Sequence, residues 1–131
     1  MTEHARSKDE EPPSVFILDD DPDILDSMTA VVHGLCKRPC ITAASVKEMV
    51  DRSKQVLGSN LAFLDINLGA NSPSGVEGYR WLRQHKYTGR VVFFTGHAQS
   101  HPQVQEAQRL GDADIVQKPV PIGSILKLIG T

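Results

Sequence analysis

No apolar run in this chain approaches the roughly 20 residues needed to span a bilayer. The charged start, MTEHARSKDE, also lacks the apolar segment that a secretory signal carries. A soluble, cytoplasmic protein is expected. Basic residues are not in excess: 14 Lys and Arg face 16 Asp and Glu, a net charge of −2, so neither a broad face for nucleic acid nor membrane attachment is expected. Cysteine is scarce. Cys36 and Cys40 are the only two, with no second pair to complete a zinc site, and they read as reduced, partly buried thiols. There is no internal repeat and no low-complexity segment, and 131 residues leave room for one domain with a real core.

What the chain does have is a recurrence. Four short apolar runs each end on a residue suited to phosphoryl chemistry: Val15 to Leu18 runs into Asp19 and Asp20, Leu61 to Leu64 into Asp65, Val91 to Phe94 into Thr95, and Ile115 to Gln117 into Lys118. Runs rich in Val, Ile and Phe, separated by amphipathic stretches, read as buried strands of a parallel sheet. In such a sheet all strand C-termini share one edge, where open α/β folds place their ligand crevice.

Residues 1–14 are charged, carry prolines and read as a flexible tail ahead of a domain over 15–131. Ile24, Leu25, Met28, Val31, Val32 and Leu35 recur at helical spacing after Pro22, predicting a first helix that ends near residues 34–37. Cys40 to Ala44 is a second strand. Ser45 and Glu48 form a capping box for a short second helix closing near Lys54. A polar loop from Gly69 to Gly75 leads to a third helix with Tyr79, Trp81 and Leu82, where Trp81 reads as core packing. Pro102 opens a fourth, striped by Val104, Ala107 and Leu110 and closed by Gly111. A last helix, residues 121–129, is interrupted by Gly123. Five βα units in alternation make an α/β fold, a five-stranded parallel sheet with helices on both faces. The flavodoxin-like strand order 2-1-3-4-5 sets the strands carrying Asp19, Asp20 and Asp65 side by side.

Three carboxylates at one crevice repel one another, by about 4 kcal/mol for a pair roughly 4 Å apart at an effective dielectric of about 20. A hard divalent cation compensates them, and all-oxygen ligands with room for water favour magnesium over zinc. The gathered set lacks a His and Cys cluster, a Ser-His-Asp arrangement and a G-x-x-x-x-G-K loop. It offers a carboxylate nucleophile, a metal site, a lysine and a hydroxyl, the parts needed to hold a phosphoryl group. Asp21 and Asp23 are better read as capping the first helix.

The segments V-F-I-L-D-D-D-P-D-I, L-A-F-L-D-I-N-L, V-V-F-F-T-G and Q-K-P-V resemble, in order and spacing, the four signature segments of the two-component response-regulator receiver domain. The resemblance covers residues 15 to about 129. It implies that Asp65 is the phospho-acceptor and Asp20 a direct magnesium ligand. Asp19 acts through water, and the backbone carbonyl of Asn67 is a further ligand. It implies that Thr95 and Lys118 hold phosphoryl oxygens, that Asn67 and His97 flank the path of hydrolytic water and set the phosphoryl lifetime, and that Lys118-Pro119 is a cis peptide. The partners it implies are a sensor histidine kinase or a histidine phosphotransfer protein, with a monomer or weak dimer as the working state. His97 reads equally well as a solvent-exposed loop residue.

The chain departs from the family pattern at three places. The loop after Asp65 has Gly69 where proline is common and is about two residues longer, Ile115 stands where an aromatic residue is usual, and no output domain follows in these 131 residues, as expected for either a stand-alone receiver or a piece of a longer protein. Two other functions compete. A magnesium-dependent phosphatase of the haloacid-dehalogenase type would also use an aspartyl phosphate, but that family places a second Asp where this chain has Asn67. A binding module that is never phosphorylated is the third reading, against which the presence of Asp19, Asp20, Asp65, Thr95 and Lys118 argues.

Overall fold

The computed structural model describes residues 13–69, 71–97 and 100–130. All but the last two residues of the expected tail lie outside them. Five strands, β1 (Val15–Leu18), β2 (Cys40–Ala43), β3 (Leu61–Asp65), β4 (Arg90–Thr95) and β5 (Asp114–Gln117), form one sheet in the order β2-β1-β3-β4-β5. Every pairing is parallel, with Leu18 beside Leu64, Asp65 beside Phe94 and Thr95 beside Gln117. This is the architecture expected from the alternation of apolar runs and amphipathic stretches.

Each strand sends successive side chains to opposite faces, and the two faces build two cores. Phe16, Leu18, Ala62, Leu64, Val91 and Phe93 pack under α2 (Val46–Asp51), α3 (Ser53–Leu57), α4 (Gly75–Gln84) and α5 (Pro102–Leu110). Val15, Ile17, Phe63, Val92 and Phe94 pack under α1 (Pro22–Thr29) and α6 (Ile122–Ile129). Phe63 and Phe94 stack at 5.0 Å on that second face. Each such buried side chain contributes about 1.5–3 kcal/mol, so the central strands anchor the crevice edge firmly. Trp81 is partly buried against the first core and stacks on His85.

The helix ends follow the local chemistry. Asp21 caps α1 by accepting from the Asp23 amide at 2.9 Å, with Pro22 at the first position. Ser45 Oγ accepts from the Glu48 amide, but the Glu48 carboxylate reaches back to the amide of Ala44 instead of Ser45. Gly111 closes α5 with φ of 82°, a left-handed position that favours glycine.

The first helix reaches Leu35 as expected, its last part, Ala30–Leu35, winding as a π-helix. Two expectations need correction. The second helix does not stop near Lys54: it breaks at Arg52 and resumes as α3 to Leu57, held by the fully buried Val56. Gly123 does not interrupt α6, because it falls in the first turn, where few intrahelical bonds depend on it.

Candidate functional site

The C-terminal sheet edge holds a cleft of about 480 Å³ lined by Asp19, Asp20, Asp21, Asp65, Asn67, Gly69, Gly96, His97 and Lys118. Strand register puts them there. Asp19 follows β1, and its amide donates to the Ala43 carbonyl of β2 at 3.1 Å. Asp65 ends β3, and the next amide, Ile66, donates to the Phe94 carbonyl at 2.9 Å. Lys118 follows β5, with its amide tied to the Thr95 carbonyl at 2.8 Å and a cis bond to Pro119.

The carboxylates of Asp19, Asp20 and Asp65 offer one oxygen each within 4.8 Å of one another. Asp19 is fully buried, Asp65 is 4 % exposed and Asp20 faces solvent. Lys118 Nζ lies 2.8 Å from Asp19 Oδ2 and 3.4 Å from Asp65 Oδ2. The other oxygen of Asp19 accepts from the Asp21 amide at 2.9 Å. Burial, then the charge of Asp19, push the Asp65 carboxyl up to about 7, against the opposing pull of Lys118 and with a further small push from Asp20. Burial works to lower the Lys118 ammonium, yet its bond to Asp19 and the charge of Asp65 outweigh this and raise it.

One ammonium against three carboxylates leaves the cluster two negative charges in excess when all are ionised. An all-oxygen donor set with that excess and one solvent-facing member suits a hard divalent cation. The elevated Asp65 carboxyl reflects burial first and the neighbouring Asp19 charge second, and a bound cation would oppose both.

Two predicted residues meet beside the carboxylates. Asn67 Oδ1 accepts from the Gly69 amide at 3.0 Å, so its Nδ2 is the group that donates to His97 Nε2 at 2.7 Å. Thr95 stands apart. It is 3 % exposed, its Oγ1 accepts from the His97 amide at 2.9 Å, and it lines a second cavity, of about 340 Å³, with His97, Val104 and Ile115.

Sequence reasoning missed two contributors. A β-carbon on Gly75 would sit 2.1 Å from the Asp65 carbonyl oxygen, so only glycine lets the start of α4 rest on the backbone of Asp65. The sequence signal was a glycine directly after a serine N-cap, Ser74, which reads as no more than a helix start. His101, the N-cap of α5, stacks on His97 with ring centroids 4.3 Å apart. Its place before Pro102 marks the cap but not the stacking.

An acidic crevice at the switch between β1 and β3, with a lysine reaching in from the end of β5, defines a doubly wound α/β protein whose ligand site lies at the C-terminal sheet edge. The response regulator receiver domain matches residues 15–130, and the chain belongs to that family, a family of signalling domains. No curated protein sequence matches the chain. Among solved structures it is similar to a CheY-like receiver domain protein from Methanospirillum hungatei JF-1, with a TM-score of 0.77, 25 % identity, and 89 % of this chain and 90 % of that one covered. It is similar to chemotaxis protein CheY4 of Vibrio cholerae, with a TM-score of 0.75, 18 % identity and 89 % and 95 % covered. The NtrX receiver domain of Brucella abortus follows at a TM-score of 0.74, 21 % identity and 87 % and 92 % covered. These likenesses establish the flavodoxin-like receiver fold. Among the described residues no helix is long and apolar enough to cross a membrane.

Proposed function

We propose that this chain takes a phosphoryl group from phosphohistidine onto Asp65, signals by the conformation it then holds, and returns to rest by hydrolysis. The observation that carries this reading is the meeting of Asp65 with Asp19 and Asp20 within 4.8 Å, with Lys118 Nζ on two of the three. An Asp65 carboxylate oxygen attacks phosphorus as the P–N bond to the donor imidazole breaks. The imidazole keeps the electron pair and is protonated. Lys118 stands where it can pair with a phosphoryl oxygen, and Thr95 can supply a hydroxyl by turning from its present cavity. Water then attacks phosphorus, the P–O bond to Asp65 breaks, and inorganic phosphate leaves, with Asn67 and His97 flanking its path.

Asp20, Asp65 and the Asn67 carbonyl are the proposed magnesium ligands. Both oxygens of Asp19 are already engaged, which favours a role for it through water. Bound there, magnesium supplies positive charge that keeps Asp65 ionised and neutralises phosphoryl oxygens. The donor is a histidine kinase or histidine phosphotransfer protein. An apolar groove of about 510 Å³ beside Lys118, between α1 and the segment after Pro119, gives a protein donor a surface next to the site.

Intact mass after incubation with acetyl phosphate and magnesium tests this reading. One hydroxylamine-labile phosphoryl group, absent in Asp65→Asn, is expected. Steady turnover of many phosphate esters would point instead to a phosphatase, and no label to a binding module.

A further inference from the structure

We infer that Asn67, His97 and His101 form a side-chain relay carrying the state of the acidic cleft to the first turn of α5. The inference rests on the phosphoryl reading of that cleft. Among the described residues, His97 alone lines both the acidic cleft and the cavity holding Thr95. Its ring is fixed on two sides, by the Asn67 amide at 2.7 Å and by the parallel face of His101, with 22° between the planes. Its backbone amide donates to the Thr95 hydroxyl oxygen at 2.9 Å, and Thr95 lines the second cavity and not the acidic cleft.

These contacts are mutually dependent. Rotation of the Thr95 side chain toward an anion on Asp65 would draw its oxygen away from the His97 amide that now donates to it. A change at the loop after β3 moves Asn67, and with it the acceptor that the His97 ring provides. In either case the His97 ring shifts against the His101 ring, and His101 is tied to the first turn of α5 through its backbone carbonyl, which accepts from the Gln105 amide at 3.0 Å whatever its side chain. A rigid stacked pair transmits displacement where a water-filled gap would not. On the neighbouring strand, Ile115 lines the same cavity with Asp114 and Gln117, and it has no ring to fill the space and only restricted χ1 freedom. The path through the two histidines is therefore the packed one.

Two substitutions separate the ring from the cap. His101→Asn keeps a good helix cap and removes the ring, while His101→Phe keeps the ring and removes the cap. The experiment follows amide chemical shifts as beryllium fluoride and magnesium are added to the whole chain, with thermal unfolding of each variant as a check on folding. In the wild type, shifts are expected at Asp65 and Lys118 and also at Gln103 and Val104. In His101→Asn the Asp65 and Lys118 shifts should persist while most of the Gln103 and Val104 response is lost. His101→Phe should restore it. Full transmission in His101→Asn, or none in His101→Phe, overturns the relay while leaving the site reading intact. Absence of any response at Asp65 and Lys118 in the wild type overturns the phosphoryl reading, and the relay with it.

Discussion

Lys118 is bonded more closely to Asp19 than to Asp65, at 2.8 Å against 3.4 Å. The ammonium thus serves first as counter-ion to Asp19, whose carboxylate is fully buried. Lys118→Ala should therefore lower metal-free stability, by about 1–3 kcal/mol, because a buried acceptor loses its charged partner while the lysine itself is partly exposed. Magnesium should recover more stability in the variant than in the wild type. Urea unfolding with and without magnesium measures both, and equal stability of the two metal-free proteins would contradict the counter-ion role.

Asp65 makes metal-free stability fall with pH. Its carboxyl rises from an ordinary 3.8 to about 7 in the folded protein. Between those values the folded state holds a proton that the unfolded state has released, so unfolding becomes easier as pH rises through the window. The favourable contribution is complete below about pH 4 and gone above about pH 7. Asp65→Asn should match the wild type near pH 4 and exceed it at pH 8 by about 2–4 kcal/mol in the absence of metal. Unfolding curves at a series of pH values in chelator give the difference, and a constant gap across the series would refute the assignment.

Magnesium affinity should depend on Asp20 more than on Asp19. Asp20 faces solvent, whereas both Asp19 oxygens are engaged by Lys118 and the Asp21 amide. Asp19→Asn should weaken magnesium by about 10-fold, as expected for a group acting through an intermediary, and Asp20→Asn by more. Titration by calorimetry or intrinsic fluorescence decides the order.

Gly75→Ala should damage the site without touching a charged residue. The added methyl would meet the Asp65 carbonyl at 2.1 Å, a backbone contact that cannot swing away. A loss of about 1–3 kcal/mol is expected, with acetyl-phosphate labelling of Asp65 falling further than global stability alone explains. Labelling at the wild-type rate in a folded Gly75→Ala protein would show that the contact does not position Asp65.

The central strands were plain in the sequence because burial on both faces leaves no polar alternation: Val15 to Leu18 are all fully buried. Edge strand β2 is half-buried, and its residues Cys-Ile-Thr-Ala mark it less clearly. The continuation of α3 to Leu57 was hidden because Val56, which anchors it, follows the polar Ser53, Lys54 and Gln55. For the site, strand ends foretell which residues share an edge, and Asp19, Asp20, Asp65 and Lys118 do meet there. They do not foretell side-chain direction, so the turn of Thr95 into the neighbouring cavity was not legible. Nor was the His97 and His101 stacking, which no helix or strand spacing foretells, or the role of Gly75, which is visible only when two backbones touch.

The π-helical turn from Ala30 to Leu35 bears on how this chain tolerates changes in length. A π-turn takes in one residue more than an α-turn, leaving the helical phase before it undisturbed. Here the wide turn exposes His33, Gly34 and Leu35 while Val31 and Val32 remain in the core. Deleting Gly34 should let the segment relax to ordinary α-helix, with Met28 and Val32 still inward. Deleting a residue between Pro22 and Thr29 would instead rotate everything beyond it by roughly 100° and turn the apolar stripe away from the sheet. Insertions and deletions in this first helix are thus expected to accumulate at its far end, leaving the part next to the acidic cleft at constant length.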